Sequence, residues 1–180
     1  MKEIICSGVG GQGVLVAGMI IADIAMEDGH NVSWYPSYGF EMRGGAANCE
    51  IKISDGDLQS PYCLEPEILY TLSESAIDTF EDRLKPGGVL LVNSSLVSEE
   101  RTYRDDIKVI KVAATEIDNE LKNSRAANIV MLGAMAAASE LYDEEHVKQG
   151  VQNYFAKKGK NNPKNDLCFD KGAEEARRQL

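Results

Sequence analysis

Apolar and polar positions change their period several times along the chain, and each change predicts an element. Lys2–Ser7 reads as a short buried strand running into a turn at Gly8–Gly13. Val14–Met26 is apolar on nearly every face, the pattern of a packed helix, with Ala17 and Gly18 allowing close contact. Gly29-His30-Asn31 closes that helix, and Val32–Tyr35 reads as a second strand. Further on, Ala47, Cys49, Ile51 and Ile53 alternate with Asn48, Glu50 and Lys52, which predicts a half-buried strand. Glu67–Leu72, Val89–Val92 and Ile107–Val112 are further strands. Between them, Ile77, Phe80 and Leu84 stripe a helix over Glu74–Leu84 that Pro86-Gly87-Gly88 stops. Thr115 reads as the cap of a short helix, because Thr115-x-x-Asp118 has capping-box character. Asn128–Leu141 is a helix rich in Ala and Gly, and Val147, Val151, Tyr154 and Phe155 stripe another between Asp143 and Gly159.

Strands alternating with helices predict an α/β protein, a three-layer α/β/α arrangement around a Rossmann-like sheet. Asn31 to Ser54 holds two strands with no room for a helix between them. A parallel pair needs a crossover of a dozen or more residues, so this pair is expected to be antiparallel and the sheet mixed, though mostly parallel. At 180 residues the chain is expected to form a single domain over its whole length.

A net charge of −10 opposes nucleic-acid binding, which depends on Lys and Arg. The charge is uneven: residues 151–180 carry seven basic and four acidic side chains, a pattern read as a solvated tail rather than a docking segment. Asp23 interrupts the first apolar helix too early for a membrane span, and Glu3 with the glycine turn argues against a secretory leader. The expected location is the cytoplasm. Cys6, Cys49, Cys63 and Cys168 include no closely spaced pair, so they read as buried thiols and no metal site is expected. His30 and His146 have no catalytic neighbours in sequence and read as structural, which leaves no catalytic residue to name.

Two loops carry chemistry. Gly8, Gly10 and Gly13 fit G-x-G-x-x-G ahead of a helix whose N-terminus attracts phosphate or carboxylate. A dinucleotide enzyme would place an acid at the end of the second strand. Here that strand runs into Trp34-Tyr35-Pro36-Ser37, and Asp28 comes too early. A free-standing NAD- or FAD-binding protein therefore remains an alternative with an incomplete fingerprint, and the glycines also suit a tight turn with no ligand. The second loop, Pro36–Gly45, carries Tyr38, Phe40, Met42, Glu41 and Arg43 in an aperiodic stretch. It leaves the second strand at the same sheet edge as the glycine turn, so Arg43 either faces the same anion or pairs with Glu41.

Gly8-Val9-Gly10-Gly11-Gln12-Gly13, followed by Ser37-Tyr38-Gly39-Phe40-Glu41-Met42-Arg43-Gly44-Gly45-Ala46-Ala47-Asn48-Cys49, resembles the gamma subunit of 2-oxoacid:ferredoxin oxidoreductases. The likeness continues through Leu84–Gly88, Val92–Ser95, Ala114–Ile117 and Ala127–Ala134. It implies a subunit, inactive alone, of a complex that decarboxylates a 2-oxoacid, passes two electrons through iron–sulfur clusters to ferredoxin, and forms an acyl-CoA. The loop after Glu41 looks like the branch acting on 2-oxoglutarate or branched-chain oxoacids, with 2-oxoglutarate preferred. Thiamine diphosphate and the clusters are implied to sit on alpha, beta and ferredoxin-like delta subunits, none on this chain alone. The implied binding set is Gly8, Gly10, Gly11, Gln12, Gly13, Glu41, Arg43, Gly44, Gly45 and Asn48. Within it, Gly10–Gly13 offer backbone donors to CoA, Gln12 a polar contact and Arg43 a charge-assisted bond, with Glu41 orienting Arg43. The competing readings are a Glu41–Arg43 pair that only braces the loop, and a purely structural subunit. Tyr38, Phe40 and Met42 are the candidates for self-association of the isolated chain.

Overall fold

A computed structural model describes residues 1–39 and 44–180. The first apolar run forms β1 (Lys2–Val9), in which Ile4, Ile5 and Cys6 are fully buried. Beside it run β3 (Ala46–Ser54) and then β2 (Asn31–Tyr38), each pair antiparallel, with Cys6 opposite Cys49 and Trp34 opposite Ile51. On the other side β1 pairs in parallel with β4 (Ile68–Thr71), followed by β5 (Val89–Asn93) and β6 (Lys108–Val112). The order is β2-β3-β1-β4-β5-β6 with β3 alone reversed, the mixed and mostly parallel sheet that the spacing predicts. β2 runs three residues past its expected end and includes Pro36, which an edge strand tolerates because one side of its backbone makes no ladder bonds.

Alternation along the strands feeds two cores. Ile4, Cys6, Ile51 and Tyr70 face α1 (Val14–Glu27), α4 (Ala127–Ala138), α5 (Glu144–Lys157) and α6 (Lys164–Arg177), with α3 (Ala114–Glu120) at their side. Ile5, Leu69, Leu90 and Val92 face α2 (Glu74–Phe80) on the other side. Helices thus lie on both faces, unequally.

Three local expectations are corrected. The terminal segment is not a solvated tail: α6 buries Cys168, Phe169, Ala173 and Ala176 against the core. It lies so close to α4 that a Cβ on Gly172 would run into the Val130 carbonyl, and one on Gly133 into the Phe169 carbonyl. Thr115 does not cap α3, whose N-cap is Ala113; its hydroxyl accepts from Asn93 Nδ2 at 3.0 Å, while Asp118 accepts from the Ala127 N–H at 3.1 Å. The polar side of β3 is not in water either. Glu50 and Lys52 are buried beneath the loop before β4, whose Cys63 N–H donates to Glu50 at 2.6 Å. Lys52 pairs with buried Glu3 at 3.0 Å, and Glu3 also accepts from the N–H groups of Leu64 and Glu65 at 2.6 and 2.8 Å. At the far end of the sheet, the Gln179 amide both accepts from the Lys111 N–H at 2.9 Å and donates to the Lys111 carbonyl at 2.7 Å.

Candidate functional site

β1 and β2 run in the same direction, so both end at one edge of the sheet, where Val9 and Tyr38 stand opposite Ala46 and Ala47. The glycine turn lies at that edge and leads into α1. The Gly10 N–H donates to the Gly45 carbonyl at 2.8 Å, tying the turn to the chain entering β3, and the Gln12 N–H donates to Val9 at 3.1 Å. The Gln12 side chain turns inward. Its Oε1 accepts from the Val9 N–H at 2.7 Å, and its Nε2 donates to the Leu72 carbonyl beyond β4 at 3.1 Å. Gly8 leaves room for that amide, since a Cβ there would stand 2.6 Å from Gln12 Oε1.

Gly13 is the N-cap of α1, at φ 79° and ψ 20°, a conformation that costs an L-residue with a Cβ about 1–2 kcal/mol. Its carbonyl accepts from the Ala17 N–H at 3.0 Å and from Asn128 Nδ2 at 3.2 Å. No side chain caps α1 and its first turn carries no acid, so its orphan N–H groups and positive dipole end are left for an outside anion.

A cleft of ≈ 610 Å³ opens between the turn, the first turn of α1 and the β2–β3 hairpin, with Trp34, Pro36, Tyr38 and Ala47 as its far wall. The wall is largely apolar, and Tyr38 is 62% exposed at its mouth. The expected binding residues divide at this point. Gly10, Gly11, Gly13 and Gly45 line the cleft. The N–H groups of Gly10 and Gln12, expected as anion donors, are already spent inside the turn, and Gln12's amide is a brace rather than a free polar contact. Among the described residues the N–H groups of Gly11 and Gly13 make no such bond within the turn, and they join those of the first turn of α1 as the donors available at the cleft. Asn48 sits between Ala47, which lines the cleft, and Cys49, which packs in the α1-side core, so strand alternation sends it to the opposite face. Gly44 lies just before β3. Glu41 and Arg43, together with Phe40 and Met42, lie outside the described residues. Sequence reasoning missed Trp34 as a wall of the cleft and Asn128 as a support. The lone tryptophan on a strand heading for the glycine turn was a usable signal, whereas Asn128 is 115 residues from Gly13 and gave none.

No group of described residues has the makings of a metal site. Cys6 and Cys63 are held as thiols: a hydrogen bond with Cys49, then burial, pushes Cys6 well above its ordinary value, and burial with nearby Glu50 pushes Cys63 up to about 12. What the site offers is a fixed array of N–H donors beside an apolar wall.

A family model described as pyruvate ferredoxin/flavodoxin oxidoreductase matches residues 3–175. Among curated proteins, the chain is 38% identical to the 2-oxoglutarate synthase subunit KorC of Methanocaldococcus jannaschii, covering 98% of this chain and 94% of that one. It is 37% identical to the ketoisovalerate oxidoreductase subunit VorA of Methanothermobacter thermautotrophicus over 97% of its own length, but spans only 36% of that longer protein. Among solved structures, the gamma subunit of a keto/oxoacid ferredoxin oxidoreductase from Geobacter sulfurreducens matches with a TM-score of 0.77 and 34% identity, covering 98% of both chains. A 2-oxoglutarate:ferredoxin oxidoreductase from Magnetococcus marinus, solved with 2-oxoglutarate, coenzyme A and succinyl-CoA, shares the fold at a TM-score of 0.85 and 22% identity, over 99% of this chain and 31% of that one.

Proposed function

The chain belongs to the pyruvate ferredoxin/flavodoxin oxidoreductase family, and from that premise we propose that it is the gamma subunit of a complex that oxidises 2-oxoglutarate to an acyl-CoA and reduces ferredoxin. The observation that carries this reading is the 38% identity along nearly the full length of a 2-oxoglutarate synthase subunit. Thiamine diphosphate and iron–sulfur clusters supply the decarboxylation and electron transfer from alpha, beta and delta partners in the cytoplasm. This chain's residues contribute the cleft. The first turn of α1 holds a phosphate of CoA, Arg43 adds a charge-assisted bond, and Glu41 orients Arg43.

Reconstitution with the thiamine-binding and cluster-binding subunits tests the substrate: 2-oxoglutarate should give a higher kcat/KM than pyruvate or 2-oxoisovalerate. A preference for 2-oxoisovalerate would move the assignment to the branched-chain type. In the assembled complex Arg43→Ala should raise the KM for CoA roughly tenfold or more, the loss expected from one charged hydrogen bond of about 1.5–3 kcal/mol. Dye-linked decarboxylation without CoA should be unchanged. Unaltered CoA kinetics in an intact assembly would reject the anion role of Arg43.

The rival reading, a free-standing NAD or FAD protein, fits the geometry poorly. β3 stands between β1 and β2, and among the described residues the end of β2 brings no carboxylate to the turn. Titration of the isolated chain with either nucleotide should give no saturable signal.

A further inference from the structure

The turn that the proposed anion site depends on is held from two sides, and one of those supports reaches across the molecule. Asn128 lies in the first turn of α4, is 4% exposed, and is the lone polar residue in a helix otherwise built of Ala, Gly, Ile, Val, Leu and Met. Its Nδ2 donates to the Gly13 carbonyl, and its own carbonyl accepts from the fully buried Tyr70 hydroxyl of β4 at 2.7 Å. Its Oδ1 is buried with no hydrogen-bond partner among the described residues. An unmade bond of that kind weakens the fold, and an apolar side chain would avoid it. Departures of this kind from an otherwise consistent apolar helix concentrate at functional or strained sites. Gly13 and Asn128 are also matched sterically, because a Cβ at Gly13 would stand 2.6 Å from Asn128 Nδ2.

We propose that Asn128 is a positioning residue for the anion site: by holding the Gly13 carbonyl from α4, it fixes the N-cap of α1 and so the direction of the first-turn N–H groups. This inference rests on the CoA reading given above. α1 has no side-chain cap of its own, and the amide from α4 anchors the N-cap carbonyl instead, so the first-turn N–H groups stay unpaired by side chains. Gln12 braces the opposite flank of the turn, against β4, and cannot substitute because both ends of its amide are committed.

The test has two arms. In the reconstituted complex, Asn128→Ala should raise the KM for CoA about fivefold while CoA-independent decarboxylation stays at the parent rate. Asn128→Ser, which keeps a donor, should recover part of the loss, and Asn128→Asp, which sets a carboxylate against the Gly13 carbonyl, should be worse than Ala. In the isolated full-length chain, hydrogen exchange should quicken at the amides of Gly10, Gln12 and Ala17 in Asn128→Ala, while the amides of α5 keep their protection. If exchange at the turn does not change, Asn128 is not holding it and the inference is wrong. If the turn loosens and Arg43→Ala raises the KM for CoA but Asn128→Ala does not, the positioning role is likewise rejected. If neither variant alters CoA kinetics, the CoA reading itself has failed, and the inference falls with it.

Discussion

A single pair shows how much one residue position depends on its surroundings. Glu3 and Lys52 are both buried, their side chains 7% and 6% exposed. Burial opposes the charge on Glu3, but Lys52 and the N–H groups of Glu65 and Leu64 outweigh it, and its pKa lies below the ordinary 4.5. The stability this gives is complete above the ordinary value and is lost as the pH falls through the lower, folded-state value. The advantage of the parent over Glu3→Gln in urea unfolding should therefore shrink as the pH is lowered from about 6 towards about 3. Lys52→Met leaves the Glu3 charge buried without its partner and should lower stability by about 3 kcal/mol or more, whereas Lys52→Met combined with Glu3→Gln should recover much of it. The alternation of Ala47, Cys49, Ile51 and Ile53 told the sequence reader which way β3 faces. It could not tell that Glu50 and Lys52 are covered, because the loop that covers them has no periodicity.

Helix α6 teaches the same lesson at the scale of an element. Its buried positions, Asn165, Cys168, Phe169, Gly172, Ala173 and Ala176, recur at helical spacing, yet only Phe169 is large and apolar. Small side chains carry little hydropathy, so the segment reads as charged and solvated. In the structure those small residues are what lets α6 approach α4 until backbone meets backbone. Gly172→Ala or Gly133→Ala should accordingly lower stability by about 1–3 kcal/mol through overpacking, measured by thermal or urea unfolding. Lys171→Ala, on the exposed side of the same helix, should stay within about 0.5 kcal/mol of the parent. The apolar elements β1, α1 and β5 were legible because each carries a run of large apolar side chains.

For the whole molecule, the glycine turn and the mixed sheet followed from local pattern, since turn chemistry and strand spacing are local quantities. The cleft did not, because its walls come from the turn, α1 and the hairpin, and its support from α4. A subunit whose cleft, among the described residues, offers N–H donors and an apolar wall should fold alone and turn over substrate only with its partners. Purified by itself and given thiamine diphosphate, CoA and 2-oxoglutarate, it should show a cooperative unfolding transition and no dye reduction. Turnover by the chain alone would overturn its place as an accessory subunit.

The Gln179 clasp on Lys111 has a consequence for colloidal behaviour. One amide reproduces, in miniature, the pair of bonds that a seventh strand would make with β6 at Lys111, and so occupies that part of the rim. Removing the clasp exposes a template for strand addition. Gln179→Ala should stay folded yet lose long-term monodispersity, its light scattering rising with concentration while the parent solution remains clear.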